Sequence, residues 1–288
     1  MTGRLFCFGL GYTALALAER LAAEGWRIAG TVRDADTRNS LTARGWEVFA
    51  FDRDRPLADA AGALAGTTHL LSSVPPDGAG DCVLDLLGTA IAGIRGLRWA
   101  GYLSTTGVYG DHGGGMVDES TPRDPASERG RRRVEAEDGW LSLWRDHGVP
   151  VHLFRLAGIY GPGRNALETV RQGRARRIRR PGQVFGRIHR DDIVSVLLAS
   201  MAKPNPGAAY NVADDEPAPP DEVIAHACSL LGVPAPPVED FDAVADTLSP
   251  MARSFYGESK RVSNRRIKED LGVRLRYPDY REGLKALL

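Results

Sequence analysis

Three stretches hold residues whose types and spacing could do chemistry. The first is Gly9-Leu10-Gly11-Tyr12-Thr13-Ala14, a G-x-G-x-x-A pattern closing the apolar run RLFCFGLG (4–11). Gly9 permits a tight turn, Gly11 lets backbone approach a pyrophosphate, and Ala14 lets a helix pack close to its strand. A helix starting at Tyr12 and Thr13 offers free N–H groups and a partial positive charge to phosphates. Taken alone, the pattern also describes a glycine turn with no ligand. Its place between a strand and a helix favours a dinucleotide. The next strand then bears on which one. It ends Thr31-Val32-Arg33, without the acidic residue that would accept the ribose 2′-OH of NAD. A guanidinium suits a 2′-phosphate, so NADP is expected over NAD; a solvent-facing arginine is the plainer alternative. Asp52 is placed either to reach the adenine edge or to cap a turn.

The other two stretches are basic. ASERGRRRVEAE (126–137) carries Arg129, Arg131, Arg132 and Arg133 at the start of a predicted helix. Three readings stay open. The arginines form a solvated face, which opposes the helix dipole unless Glu135 and Glu137 offset it. They hold a phosphate or carboxylate by bidentate contacts. Or they stabilise a developing oxyanion while another residue moves the proton. RQGRARRIRRPGQVFGRIHRDD (171–192) carries Arg171, Arg174, Arg176, Arg177, Arg179, Arg180, Arg187 and Arg190. It fits either an anionic substrate or an exposed basic hairpin.

The elements that must position these residues alternate strand and helix through the first 163 residues. Strands are predicted at 4–11, 27–34, 47–54, 68–76, 99–110 and 149–163, with helices at 12–26, 37–46, 82–94 and 131–148. This order specifies an α/β fold: a Rossmann-type doubly wound parallel sheet. Beyond it the pattern loosens into a helix at 191–202, a strand at 208–215 and a helix at 221–232, with PAPPVEDFD (234–242) as a loop. The expected division is a dinucleotide-binding domain over 1–165, to which 186–215 returns, and a small mixed substrate lobe from 166–185 and 216–288.

Bulk composition narrows the function classes. Basic and acidic residues number 37 each, so the formal net charge is zero. That argues against nucleic acid as the main partner. Cys7, Cys82 and Cys228 show neither metal spacing nor a disulfide framework and read as reduced core thiols. No signal peptide and no apolar run of about 20 residues is evident, so a cytoplasmic protein free of membrane is expected.

Six motifs in order carry a family resemblance. They are the glycine turn, Ser104-Thr105-Thr106-Gly107-Val108-Tyr109-Gly110, Asp118-Glu119, Arg155-Leu156-Ala157-Gly158-Ile159-Tyr160-Gly161-Pro162-Gly163-Arg164, Arg187-Ile188-His189-Arg190-Asp191-Asp192, and Tyr210-Asn211-Val212. Over nearly its whole length the chain resembles the epimerase/dehydratase branch of the extended and atypical short-chain dehydrogenase/reductase superfamily. The resemblance implies that Thr105 hydrogen-bonds a substrate oxygen. Ser72, Val74 and Pro75 would line the cofactor, and Tyr160 to Arg164 would flank nicotinamide and substrate. His189 and Asp192 would form a buried structural pair that ties the lobes together. The superfamily's catalytic tyrosine and lysine lie four apart; here Arg129 and Arg133 occupy those places. Arginine holds its proton near neutral pH. Arg133 can therefore copy the lysine's charge, whereas Arg129 cannot copy the tyrosine, leaving Tyr109 and Tyr160 as proton-donor candidates. With Arg129, Arg164 and Arg187 on the substrate side, the implied activity is an NADP-dependent oxidoreductase or epimerase acting on an anionic small molecule. A redox-sensing or regulatory module without turnover is the alternative. Family members often dimerise, so a monomer or homodimer is expected.

Overall fold

The computed structural model describes residues 2–249, 253 and 255–288. They divide into two compact units. The first comprises 1–104, 131–155 and 196–210, and the second 105–130, 156–195 and 211–288.

In the first unit the alternation read from the sequence is realised. Strand β1 (Arg4–Phe8) leads to helix α1 (Tyr12–Ala23), β2 (Arg27–Val32), α2 (Ala35–Thr42), β3 (Glu47–Ala50), α3 (Ala60–Leu64), β4 (His69–Ser72), α4 (Cys82–Ala92) and β5 (Trp99–Thr105). All five residues of β1 are buried, as a strand covered on both faces requires. Beyond a two-residue strand β6 (Met116–Val117) come helix α5 (Glu128–His147) and strands β7 (Val151–Leu156) and β8 (Gly158–Tyr160). The seven-stranded sheet runs β11-β7-β5-β4-β1-β2-β3, where β11 is Ala209–Val212. The five strands from β3 to β5 pair in parallel. The chain moves outward from β1 to β3, then crosses back to β4. The topological switch point therefore lies between β1 and β4, where ligands of open α/β sheets bind at the strands' carboxyl ends. Phe6, Phe8, Leu70, Ile91, Tyr102, Trp140 and Leu153 fill the core.

The second unit contains three two-stranded parallel ladders. In these, β8 pairs with β10 (Arg187–His189), β9 (Arg177–Arg179) with β12 (Val238–Asp240), and β6 with β13 (Arg261–Val262). Helices α6 (Ala166–Arg171), α7 (Arg190–Ala202) and α8 (Pro220–Leu231) belong to this part of the chain, and α7 continues into the first unit. Its core gathers Tyr160, Leu167, Val223, Ala227, Tyr280 and Leu284.

Three features depart from the expected plan. Residues 105–130, 156–165, 186–195 and 211–215 group with the second unit. The strand expected over 149–163 breaks at Ala157: the Ala157 amide donates to Val212, whereas Gly158 donates to Gly186, so β8 leaves for a different partner strand. The loop expected at 234–242 contains β12, which pairs in parallel with β9 and whose Glu239 meets Arg176.

No helix among the described residues is long and apolar enough to cross a membrane. Cys7, Cys82 and Cys228 are free and buried.

Candidate dinucleotide site and the buried network beneath it

The glycine turn sits at the carboxyl end of β1, on the switch point. Gly9 has φ +80°, a conformation that favours glycine. Gly11 is extended (φ −89°, ψ −167°), and no described atom beyond its chain neighbours lies within 4 Å of where a β-carbon would sit. It begins α1 with no side-chain cap and no acidic residue in the first turn. Thr13 and Ala14 point inward, and their burial seats the helix on the sheet. The backbone thus presents an uncapped helix start beside open space. That fits a diphosphate, whose charge the helix dipole favours. Val74 packs against Gly9, Ser72 is buried with no partner for its hydroxyl among the described residues, and Pro75 is exposed.

At the end of β2 the Arg33 side chain is exposed. The nearest carboxylate in sequence, Asp34, is committed to α2, where it accepts from the Thr37 amide at 2.7 Å. Asp52 is not free to meet an adenine. Arg55 pairs with it at 2.5 and 2.8 Å and also donates to the Arg33 carbonyl. That pairing holds the Asp52 carboxyl below its ordinary range. Arg33 is therefore the guanidinium next to the end of β2, while Arg55 is held by Asp52.

Helix α5 separates the arginines of RGRRRVEAE, for which the sequence leaves three readings open. It begins at Glu128, three residues earlier than expected. Arg129 and Arg131 are exposed, but Arg133 is 7 % exposed, with Nη1 donating to the Leu103 carbonyl at 2.5 Å and the guanidinium over the Tyr102 ring. Its Nε has no partner among the described residues. Glu137 does not offset surface charge at all. It is fully buried and accepts from Ser104 Oγ (2.6 Å), Arg155 Nε (3.1 Å) and Arg155 Nη2 (2.8 Å). Asp81 receives Trp140 Nε1 at 3.0 Å, and burial raises its pKa. The Ser104–Glu137–Arg155 triad was not anticipated. Its signal was available in the helical spacing of Arg133, Ala136, Glu137, Trp140 and Leu143, which places them on one buried stripe.

In the second unit, Thr105 Oγ1 accepts from the Gly107 amide at 3.1 Å and caps a single helical turn, Thr106–Tyr109. Tyr109 is not poised as a proton donor. It is fully buried, and its hydroxyl donates to Asn211 Oδ1 at 2.7 Å. The Asn211 amide donates in turn to Glu119. Tyr160 is buried too, its hydroxyl donating to the Asp279 carbonyl at 3.3 Å. Burial, then the charges of Asp214, Asp192 and Asp279, push its pKa far above the usual phenol range, which makes it a poor acid. It lies in the second unit's core, not in the nucleotide-sized sheet.

The arginine-rich segment is spent within its own unit. Arg171 pairs with Glu168, Arg176 with Glu239, Arg179 with Asp221 and Arg190 with Asp191. Arg174 meets Gln172, Arg177 the carbonyls of Asp221 and Pro236, and Arg180 the Tyr256 carbonyl. Arg187, expected on the substrate side, gives Nη1 to the Phe185 and Ala218 carbonyls. Burial lowers its pKa, opposed by the charge of Asp214. Arg164 is exposed. His189 and Asp192 do not bond to each other. Asp192 accepts from the Arg276 and Tyr277 amides, and His189 Nδ1 from that of Asp191.

No protein-family model matches the chain. The sheet order, with the glycine turn at its switch point, is the fold of solved NAD-dependent epimerases and dehydratases; a putative NAD-dependent epimerase/dehydratase from Methylobacillus flagellatus is 25 % identical over 99 % of this chain and 97 % of that one, with a TM-score of 0.70. The chain is 55 % identical to a conserved protein of unknown function from Silicibacter pomeroyi, over 99 % of this chain and 98 % of that one, with a TM-score of 0.89. Protein YeeZ of Escherichia coli K12 is 29 % identical over 291 residues, 94 % of this chain and 95 % of its own. The dTDP-glucose 4,6-dehydratase of Bacillus anthracis, solved in complex with NAD, shares the fold (TM-score 0.78, 16 % identity, 100 % of this chain and 95 % of that one).

Proposed function

We propose that the chain binds a nicotinamide dinucleotide at the β1–β4 switch point and acts as an oxidoreductase or epimerase-like enzyme on an anionic small molecule, without the superfamily's tyrosine. The observation that carries the reading is the uncapped start of α1 beside the open space at Gly11. The Gly11 to Thr13 backbone would hold the diphosphate, and Val74 and Pro75 would border it. Such a cofactor supplies or accepts a hydride when bound. Arg133 supports a role in place of the missing lysine: it brings permanent charge and a buried Nε with no partner among the described residues. Thr105 is suited to polarise a substrate oxygen. Arg129 and Arg164, both exposed, are the arginines suited to an anionic group.

Arg33 favours the 2′-phosphate of NADP, since Asp34 is engaged by the Thr37 amide and Asp52 by Arg55. Several structural neighbours hold NAD instead, so the two forms should be titrated side by side. Saturable binding of NADH or NADPH supports the reading, and NADPH the tighter supports the arginine argument. A protein that binds neither has no such function.

One observation favours a second reading, a dinucleotide-binding redox sensor or regulatory module. Arginines stand at 129 and 133, and the Tyr109 hydroxyl is occupied by Asn211. Binding without hydride exchange, against a panel of sugar nucleotides and phosphorylated carbonyl compounds, would support it.

A further inference from the structure

Resting on the dinucleotide reading, we infer that Thr31 and Ser73 are positioning residues that set the backbone of the glycine turn for a diphosphate. Glycine itself confines neither of its dihedrals. At Gly9 two hydroxyls do so from opposite sides. The Gly9 amide donates to Thr31 Oγ1 at 2.9 Å, and Ser73 Oγ donates to the Gly9 carbonyl at 2.6 Å. The first bond fixes the peptide plane before the Gly9 α-carbon and the second the plane after it. Together they hold φ at +80°.

The hydroxyls come from the two strands that flank β1. Thr31 lies in β2, and Ser73 immediately follows β4. Thr31 also takes the Leu10 amide on its own carbonyl at 2.8 Å, so that donor is turned toward β2. The next residue, Gly11, therefore starts α1 with its geometry already set. Thr31 is buried and Ser73 half-buried. Preorganisation of this kind raises affinity because ligand binding need not order the turn.

The test is a titration of wild type, Thr31→Val, Thr31→Ser and Ser73→Ala with NADH, ADP and adenosine, each variant first shown to be folded by its melting transition. Thr31→Val and Ser73→Ala are expected to weaken NADH and ADP roughly tenfold, the worth of one well-made hydrogen bond. Adenosine, which lacks the diphosphate, should be unaffected, and Thr31→Ser should bind like wild type. Folded Thr31→Val and Ser73→Ala proteins with wild-type NADH affinity would overturn the inference. So would equal losses for adenosine and NADH, which mark a general loosening of the fold. If Thr31→Val does not fold, Ser73→Ala decides on its own. Wild type that binds no dinucleotide would instead overturn the function on which the inference rests.

Discussion

The buried Glu137 carboxylate is the most exacting energetic feature of the first unit, and Glu137→Gln tests it. Glu137 is fully buried, and the Arg155 side chain is 6 % exposed. Each buried charge therefore depends on the other, and Ser104 also donates to the Glu137 carboxylate. Removing one charge leaves an uncompensated buried guanidinium, which costs about 3–5 kcal/mol. Against a total stability of about 5–15 kcal/mol, that is a large fraction. At about 2–4 °C per kcal/mol for a domain of this size, the melting temperature should fall by roughly 10 °C. Tryptophan fluorescence during urea unfolding is a selective probe. All five tryptophans, at positions 26, 46, 99, 140 and 144, lie in the first unit. The double variant Glu137→Leu/Arg155→Met should recover most of the loss, because a packed apolar pair is about as stable as a buried ion pair. A cost below about 1 kcal/mol for Glu137→Gln would refute the reasoning. So would a double variant no better than the single.

Asp214 is 2 % exposed, and burial, opposed by the nearby charge of Arg187, pushes its pKa up to about 8. In the folded state it keeps its proton from about pH 4 to about 8, while the unfolded chain has lost it, so wild-type stability should fall as pH rises through that window at about 1.4 kcal/mol per unit. Asp214→Asn should remove that slope, as urea midpoints at several pH values would show; an unchanged slope would count against it. Tyr109→Phe should cost about 1–3 kcal/mol by stranding Asn211 Oδ1, yet leave NADH affinity unchanged in the same titration. Replacing Arg33 with Asp should weaken NADPH more than NADH, and equal effects on both would remove Arg33 as the reader of the 2′-phosphate.

The parts of the molecule legible in the sequence are those governed by local rules. Glycine spacing after an apolar run located the turn at 9–14, and alternating patterns located β1 to β5. The missed features depend on pairings between residues far apart in the chain. Arg155 reaches Glu137, Tyr109 reaches Asn211, and Arg176 reaches Glu239, and no local pattern reports such pairs. Arginine runs were misleading for the same reason. A guanidinium reads as a ligand site until its partner is placed, and most of those at 171–190 meet carboxylates or carbonyls of their own unit. The hydroxyls at Thr31 and Ser73 were illegible because a strand threonine or a loop serine carries no mark of the peptide it binds.

The glycine turn can be tested without disturbing the rest of the fold, because Gly11 is extended and a side chain there meets no described atom. Gly11→Val should therefore fold with a loss of about 1 kcal/mol, the cost of a β-branched residue at a helix start. Its side chain would fill the space assigned to the diphosphate. Titrating this variant with NADH and NADPH beside wild type is the most direct measurement. Saturable binding by wild type and none by a folded Gly11→Val protein is the predicted result. Equal binding by both would contradict a dinucleotide site at the β1–β4 switch point.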